Sequence, residues 1–126
     1  MENAIPFTQG KHLDRFEKKF KKYLGSKGKA YAVANGSNAL DLTAILVNTK
    51  PGDEFIVPAH TWSATAISYA RFGGKIRWAD INTETLVVSL QTIKKLVNKK
   101  TKAIVIVHLY GMPVNMNEIM RYAKRK

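Results

Sequence analysis

A chain of 126 residues with 45% hydrophobic residues has enough apolar material for one small folded core, which excludes a disordered polymer. It has no cysteine, which excludes a disulfide framework or a thiolate metal site, and its histidines, His12, His60 and His108, lack metal-ligand spacing, so no metal is expected. The formal net charge is +12, but the Lys and Arg residues gather in 15–29, 94–102 and 121–126, interleaved with apolar residues at helical spacing; these are solvated helix faces, and no nucleic-acid partner is expected.

The N-terminal MENAIPFTQG carries no apolar signal-peptide core, so a cytoplasmic location is expected. Between residues 11 and 24, Leu13, Phe16, Phe20, Tyr23 and Leu24 recur at near-helical spacing, with Lys18, Lys19, Lys21 and Lys22 on the other face. This predicts an amphipathic helix that Gly25 ends. From Ala30 onward, short apolar runs alternate with helix-like segments, the pattern of a parallel sheet with helical crossovers. The expected fold class is α/β, three-layer, with a mainly parallel sheet. Residues 1–29 form an N-terminal segment with its helix, and residues 30–126 an alternating β/α core.

The first strand is expected at residues 31–34, and the apolar segment 37–47, interrupted only by Asp41 and Thr43, predicts a helix buried all round. Pro51-Gly52 turns the chain into a strand at 54–57, after which 62–72 reads as a helix ended by Gly73-Gly74, and 75–79 as the next strand. Ser89 is placed to cap a helix with Leu90, Ile93, Leu96 and Val97 on one face. Residues 103–109 are the most strand-like run, yet far shorter than the roughly 20 apolar residues a membrane span needs, so no membrane partner is expected. The last helix begins at Asn115, with Glu118 in a capping-box relation and Met116, Ile119, Met120 and Ala123 on its buried face. The four strands are expected in one sheet.

Three segments carry chemistry-bearing residues. In strand–Gly–Ser–Asn–helix order, Gly36 lets backbone approach a ligand, and the free amides and dipole of the following helix favour an anion, with Ser37 and Asn38 as side-chain donors. An ordinary turn followed by a serine cap is the competing reading. Trp62 opens the helix after the second strand, near the carboxyl edge where open α/β sheets bind ligands, and its indole can cover a flat ring or simply pack the helix onto the sheet. His60, Thr61 and Ser63 around it favour the site. His108 ends the strongest strand beside Tyr110-Gly111, either walling the same pocket or satisfied by backbone.

The segments FTQGKHLDRFEKKF, ANGSNALDLTAI, PGDEFIVPAHTWSATA, ADINTETL and TKAIVIVHLYGMPVNMNEIMRYAKR resemble, in order and spacing, the DegT/DnrJ/EryC1/StrS family of sugar aminotransferases, from about Phe7 onward. The resemblance implies a partial large domain of the fold-type-I, pyridoxal-phosphate-dependent transferases. It further implies a homodimer with active sites at the subunit interface, and a reaction that aminates a nucleotide-linked keto-sugar with glutamate as donor, in surface-polysaccharide or deoxysugar biosynthesis. By position, Gly36 matches the glycine of close approach, Ser37 and Asn38 the pair that binds the cofactor phosphate, where Thr-Ala or similar is commoner, and Trp62 the aromatic that stacks on the pyridine ring.

No residue matches a catalytic position of the family. The aspartate that pairs with the pyridine nitrogen is expected just beyond Lys126, the cofactor-attaching lysine further on, and none of the sixteen lysines present stands in that motif. The chain is therefore expected to be the N-terminal portion of such an enzyme, or else an inactive remnant of the family. A basic nucleic-acid-binding module rests on net charge alone.

Overall fold

The computed structural model describes residues 10–126; residues 1–9, with the start of the expected N-terminal segment and the Phe7 end of the resemblance, lie outside the described residues. The chain divides into two compact units, Met1–Asn35 and Gly36–Lys126.

In the first unit, α1 (Lys11–Tyr23) forms where the apolar spacing places it. It ends as glycine dictates: Gly25 takes φ +61°, so that Ser26 N–H reaches the Lys21 carbonyl at 3.2 Å and Gly25 N–H the Lys22 carbonyl at 3.1 Å. Phe16 and Phe20 stack at 5.8 Å on its apolar face. The strand expected at residues 31–34 does not form. A strand exists only through a ladder partner, and here the Ala32 N–H donates instead to Glu17 Oε1 at 2.8 Å.

The second unit contains α2 (Gly36–Leu46), β1 (Glu54–Pro58), α3 (Ala64–Arg71), β2 (Lys75–Ala79), α4 (Leu90–Lys94), β3 (Thr101–Ile104) and α5 (Met116–Ala123). The described sheet has three strands, all parallel, in the order β2-β1-β3. All five residues of β1 are buried, as the centre of a two-faced parallel sheet requires. Successive side chains go to opposite faces. Phe55 and Val57 join Ala44 of α2 and Ala66 and Tyr69 of α3, while Ile56 joins Ile93 of α4, Ile119 of α5 and Val114 just ahead of α5. Helix–sheet–helix is the result, the three layers expected.

Backbone chemistry sets the boundaries. Gly73 at φ +90° lets Gly74 N–H reach the Tyr69 carbonyl (3.0 Å) and ends α3. A Cβ on Gly74 would lie 2.7 Å from the buried Phe55 ring, so this glycine is required by close approach. Ser89 accepts from Thr92 N–H and Thr92 Oγ1 accepts from Ser89 N–H, the full capping box at α4. At α5 only half of the expected box forms: Asn115 accepts from Glu118 N–H at 3.4 Å. Ile119 is buried there, but Met120 and Ala123 are exposed.

Two expectations are corrected by the packing. The α2 helix is not buried all round: Ala44 alone is buried, and Leu42, Ile45 and Leu46 are exposed, because its layer covers it on one side only. The strand expected at 103–109 instead begins at Thr101 and leaves the ladder early. Val105 N–H still donates to the Ile56 carbonyl at 2.8 Å, but the next β1 donor on that side belongs to Pro58, which has no N–H.

At the amino edge, the Glu54 carboxylate is buried and accepts from Asn98 Nδ2 (2.7 Å) and Arg77 Nη1 (3.2 Å). The Asn98 hydrogen bond first, then the Arg77 charge, hold its pKa below the ordinary 4.5 against the opposing effect of burial. A lowered folded-state value means stabilisation that is present above pH 4.5 and lost as pH falls from there through the lower folded-state value. Thermal midpoints measured across this range should therefore fall more steeply for the native chain than for Glu54→Gln. Gly74→Ala, which forces Phe55 or the α3 end to move, should destabilise by about 1–3 kcal/mol in denaturant titration.

Candidate functional site

The expected site residues occupy two places on one layer. Gly36, Ser37 and Asn38 form the first turn of α2 and are exposed. Gly36 has no left-handed φ, and a Cβ on it would meet nothing within 4 Å, so neither backbone conformation nor packing among the described residues demands glycine there. Trp62 lies two residues before α3 and is 75% exposed, which removes the reading of a tryptophan packed between helix and sheet. Its carbonyl accepts from Thr65 N–H at 3.0 Å, while the Thr61 and Thr65 hydroxyls pair at 3.0 Å, so the segment after β1 is tied to the start of α3.

Contacts hold α2, which begins with Gly36, against α3, which follows Trp62. Arg71 Nη1 donates to Asp41 Oδ2 at 2.9 Å, and Thr43 Oγ1 meets Tyr69 Oη at 2.8 Å. Thr43 has one hydroxyl proton, which it gives to the Leu40 carbonyl at 2.7 Å, so Tyr69 is the donor to Thr43. The ion pair has a half-exposed guanidinium and contributes little.

His60 and His108 differ in their bonding. His108 Nδ1 accepts from the buried Val114 N–H at 3.0 Å, which leaves the proton of the neutral ring on Nε2 and identifies it as the backbone-satisfied histidine of the two readings. His60 Nδ1 is buried without a hydrogen-bond partner among the described residues. Tyr110 follows His108 by two residues, and its ring meets His60 edge-on at 5.8 Å. Tyr110 has φ +53° and Gly111 φ +80°, in a turn closed by Met112 N–H on the Leu109 carbonyl at 2.9 Å. Left-handed backbone is natural for the glycine, whereas for a tyrosine it costs about 1–3 kcal/mol. Sequence reasoning placed Tyr110 only as a neighbour of His108; the Tyr-Gly pair after an apolar run was the available signal of a tight turn.

A groove of about 600 Å³ lies elsewhere, between β3 and α5, lined by residues such as Ile104, Ile106, Met116 and Ile119. None of Gly36, Ser37, Asn38 or Trp62 borders it. No described helix is long and apolar enough to cross a membrane.

A parallel sheet of this order with helices on both faces defines an α/β protein, and its likeness to solved aminotransferases is that of the type-I aminotransferase fold. The chain belongs to the DegT/DnrJ/EryC1/StrS aminotransferase family, whose pattern matches residues 2–126. It is 37% identical to GDP-4-keto-6-deoxy-D-mannose 3-dehydratase of Yersinia pseudotuberculosis, over 95% of this chain and 32% of that protein. With GDP-perosamine synthase of Vibrio cholerae it shares 38% identity, over 89% of this chain and 30% of the relative. Among solved structures, the aminotransferase from Psychrobacter cryohalolentis superposes with a TM-score of 0.88 at 33% identity, covering 94% of this chain and 30% of the other. The E. coli GDP-4-keto-6-deoxy-D-mannose-3-dehydratase with bound hydrated PLP gives 0.82 at 35% identity, covering 93% and 31%. The chain thus spans about a third of the length of the curated relatives it matches.

Tyr69→Phe, which removes the donor to Thr43 while keeping the ring stacked 4.6 Å from Phe55, should lower stability by about 1 kcal/mol in denaturant titration.

Proposed function

We propose that this chain supplies the phosphate and ring contacts of a pyridoxal 5′-phosphate site in the N-terminal portion of an enzyme acting on nucleotide-linked keto-sugars. The observation that carries the reading is Trp62, a large indole 75% exposed beside the carboxyl end of the central strand, in a chain of an aminotransferase family whose relatives include a GDP-4-keto-6-deoxy-D-mannose 3-dehydratase and a GDP-perosamine synthase. The group fits the residues present. At Gly36 the bare backbone serves no internal need, which suits an anion drawn onto the first amides of α2, with the Ser37 hydroxyl and Asn38 amide as added donors.

In this reading Gly36, Ser37 and Asn38 bind the phosphate, and Trp62 covers the ring and excludes water from one of its faces. When bound, pyridoxal phosphate supplies an electron sink for chemistry at the carbon bearing nitrogen. The residues of this chain bind and orient it. Glutamate as donor, a homodimer, a cytoplasmic location, and the absence of membrane or nucleic-acid partners belong to the same proposal.

Phosphate contacts and ring stacking hold a cofactor without attaching it. The 126-residue chain mixed with pyridoxal phosphate should therefore bind weakly and show no transaminase activity. After borohydride reduction, peptide mapping should find scattered low-level labelling of exposed lysines; stoichiometric labelling of a single lysine would sink the idea. Trp62→Ala should weaken the noncovalent binding by about 1 kcal/mol, the scale of an aromatic contact.

A further inference from the structure

Tyr110 is a bulky residue in a backbone conformation suited to glycine, and it is 80% exposed, so burial among the described residues does not explain why it stands there. Strain held at an exposed aromatic points outward, to something the ring meets. Two contacts fix where it stands. The turn is tied to the core through His108, whose Nδ1 accepts from the N–H of Val114, a buried member of the Ile56 cluster. The ring then meets His60 edge-on, two residues before Trp62, on the segment that leaves the carboxyl end of β1.

We propose that Tyr110, backed by His60, is a second wall of the ring site, and that His108 is the positioning residue that holds it there. The inference rests on the cofactor reading above. The ligand chemistry is that of a flat heteroaromatic ring bearing oxygen substituents: Tyr110 presents a ring edge and a hydroxyl donor, and His60 supports it from behind. The phosphate end of such a ligand belongs to the first turn of α2, so Tyr110 acts on the ring and not on the anion. His108 works through its acceptor nitrogen. Any side chain that offers an acceptor at the place of Nδ1 serves the same end, and an aliphatic one leaves the Val114 N–H without a partner and the turn free.

The probe is pyridoxine 5′-phosphate, which has no aldehyde to react with lysines, with inorganic phosphate as the comparison. Binding to the 126-residue chain is followed by Trp62 emission in a Trp78→Phe background, since the chain has two tryptophans. Tyr110→Ala should weaken pyridoxine phosphate about tenfold, the scale of a lost aromatic contact, and leave inorganic phosphate within about twofold. His108→Leu should reproduce the tenfold loss, and His108→Asn, whose Oδ1 replaces the Nδ1 acceptor, should restore binding to within about twofold. Long-range nitrogen–proton NMR of the ligand-free chain should show His108 with its proton on Nε2. Unchanged pyridoxine phosphate affinity in Tyr110→Ala overturns the wall while the cofactor reading stands. Failure of Asn to rescue, or a His108 proton on Nδ1, overturns the positioning role. A native chain that binds neither probe overturns the cofactor reading and the wall together.

Discussion

Burial of β1 on both faces is the constraint on which the second unit depends. Five consecutive residues at zero to a few per cent exposure place Phe55 and Val57 in one apolar layer and Ile56 in the other, so each pair of helices is held to the sheet by the same short strand. One polar group sits in that strand, and it is answered: Glu54 reaches Arg77 of β2 and Asn98 ahead of β3, a carboxylate shared by both neighbours at the amino edge. Removing Arg77 would leave a buried carboxylate without its countercharge, which is far costlier than never having placed it there. The opposite edge carries no such clasp, and there the chain turns outward into the segments 59–62 and 108–112.

Where an ending is written in local chemistry, the residues announce it. Gly25, Gly73 and Ser89 stop or start helices through hydrogen bonds that span no more than five residues, and the structure places them as expected. Pairing is different. Residues 31–34 are as β-prone as many strands, but a ladder needs a neighbour, and nothing within YAVA states that Glu17 will take the Ala32 N–H. The α2 helix misled for the related reason that an apolar composition shows what prefers burial, without showing how many sides a neighbour covers. Of the candidate site, the elements bearing Gly36 and Trp62 were legible because both stand beside recognisable element boundaries. Tyr110 was not, since a positive φ on tyrosine leaves no trace in residue type.

Large apolar groups are exposed on α1, with Phe16 and Phe20, on α2, with Leu42, Ile45 and Leu46, and on the edge strand β2, with Trp78. A surface of this kind is unusual for a solvated face. It coexists with a core in which β1 is buried on both faces and the Glu54 carboxylate is bonded to Asn98 and Arg77, so the apolar exposure does not arise from loose packing. In a chain that spans about a third of its relatives, the core of the fold and the contacts of the proposed site are carried by different residues: Phe55, Ile56 and Val57 do not approach the surface, while Ser37, Asn38 and Trp62 are on it.

Pro58 has a part beyond ending β1. Lacking an N–H, it withholds the hydrogen bond that would have kept β3 zipped to its neighbour for another pair, while Ala59 on the other side still donates to Ala79 at 2.9 Å. Release is thus one-sided: the chain stays fastened toward β2 and comes free toward β3. Where the two segments part from the ladder is thus set by one absent hydrogen atom. Residues beyond that point can change one by one without disturbing the sheet beneath them.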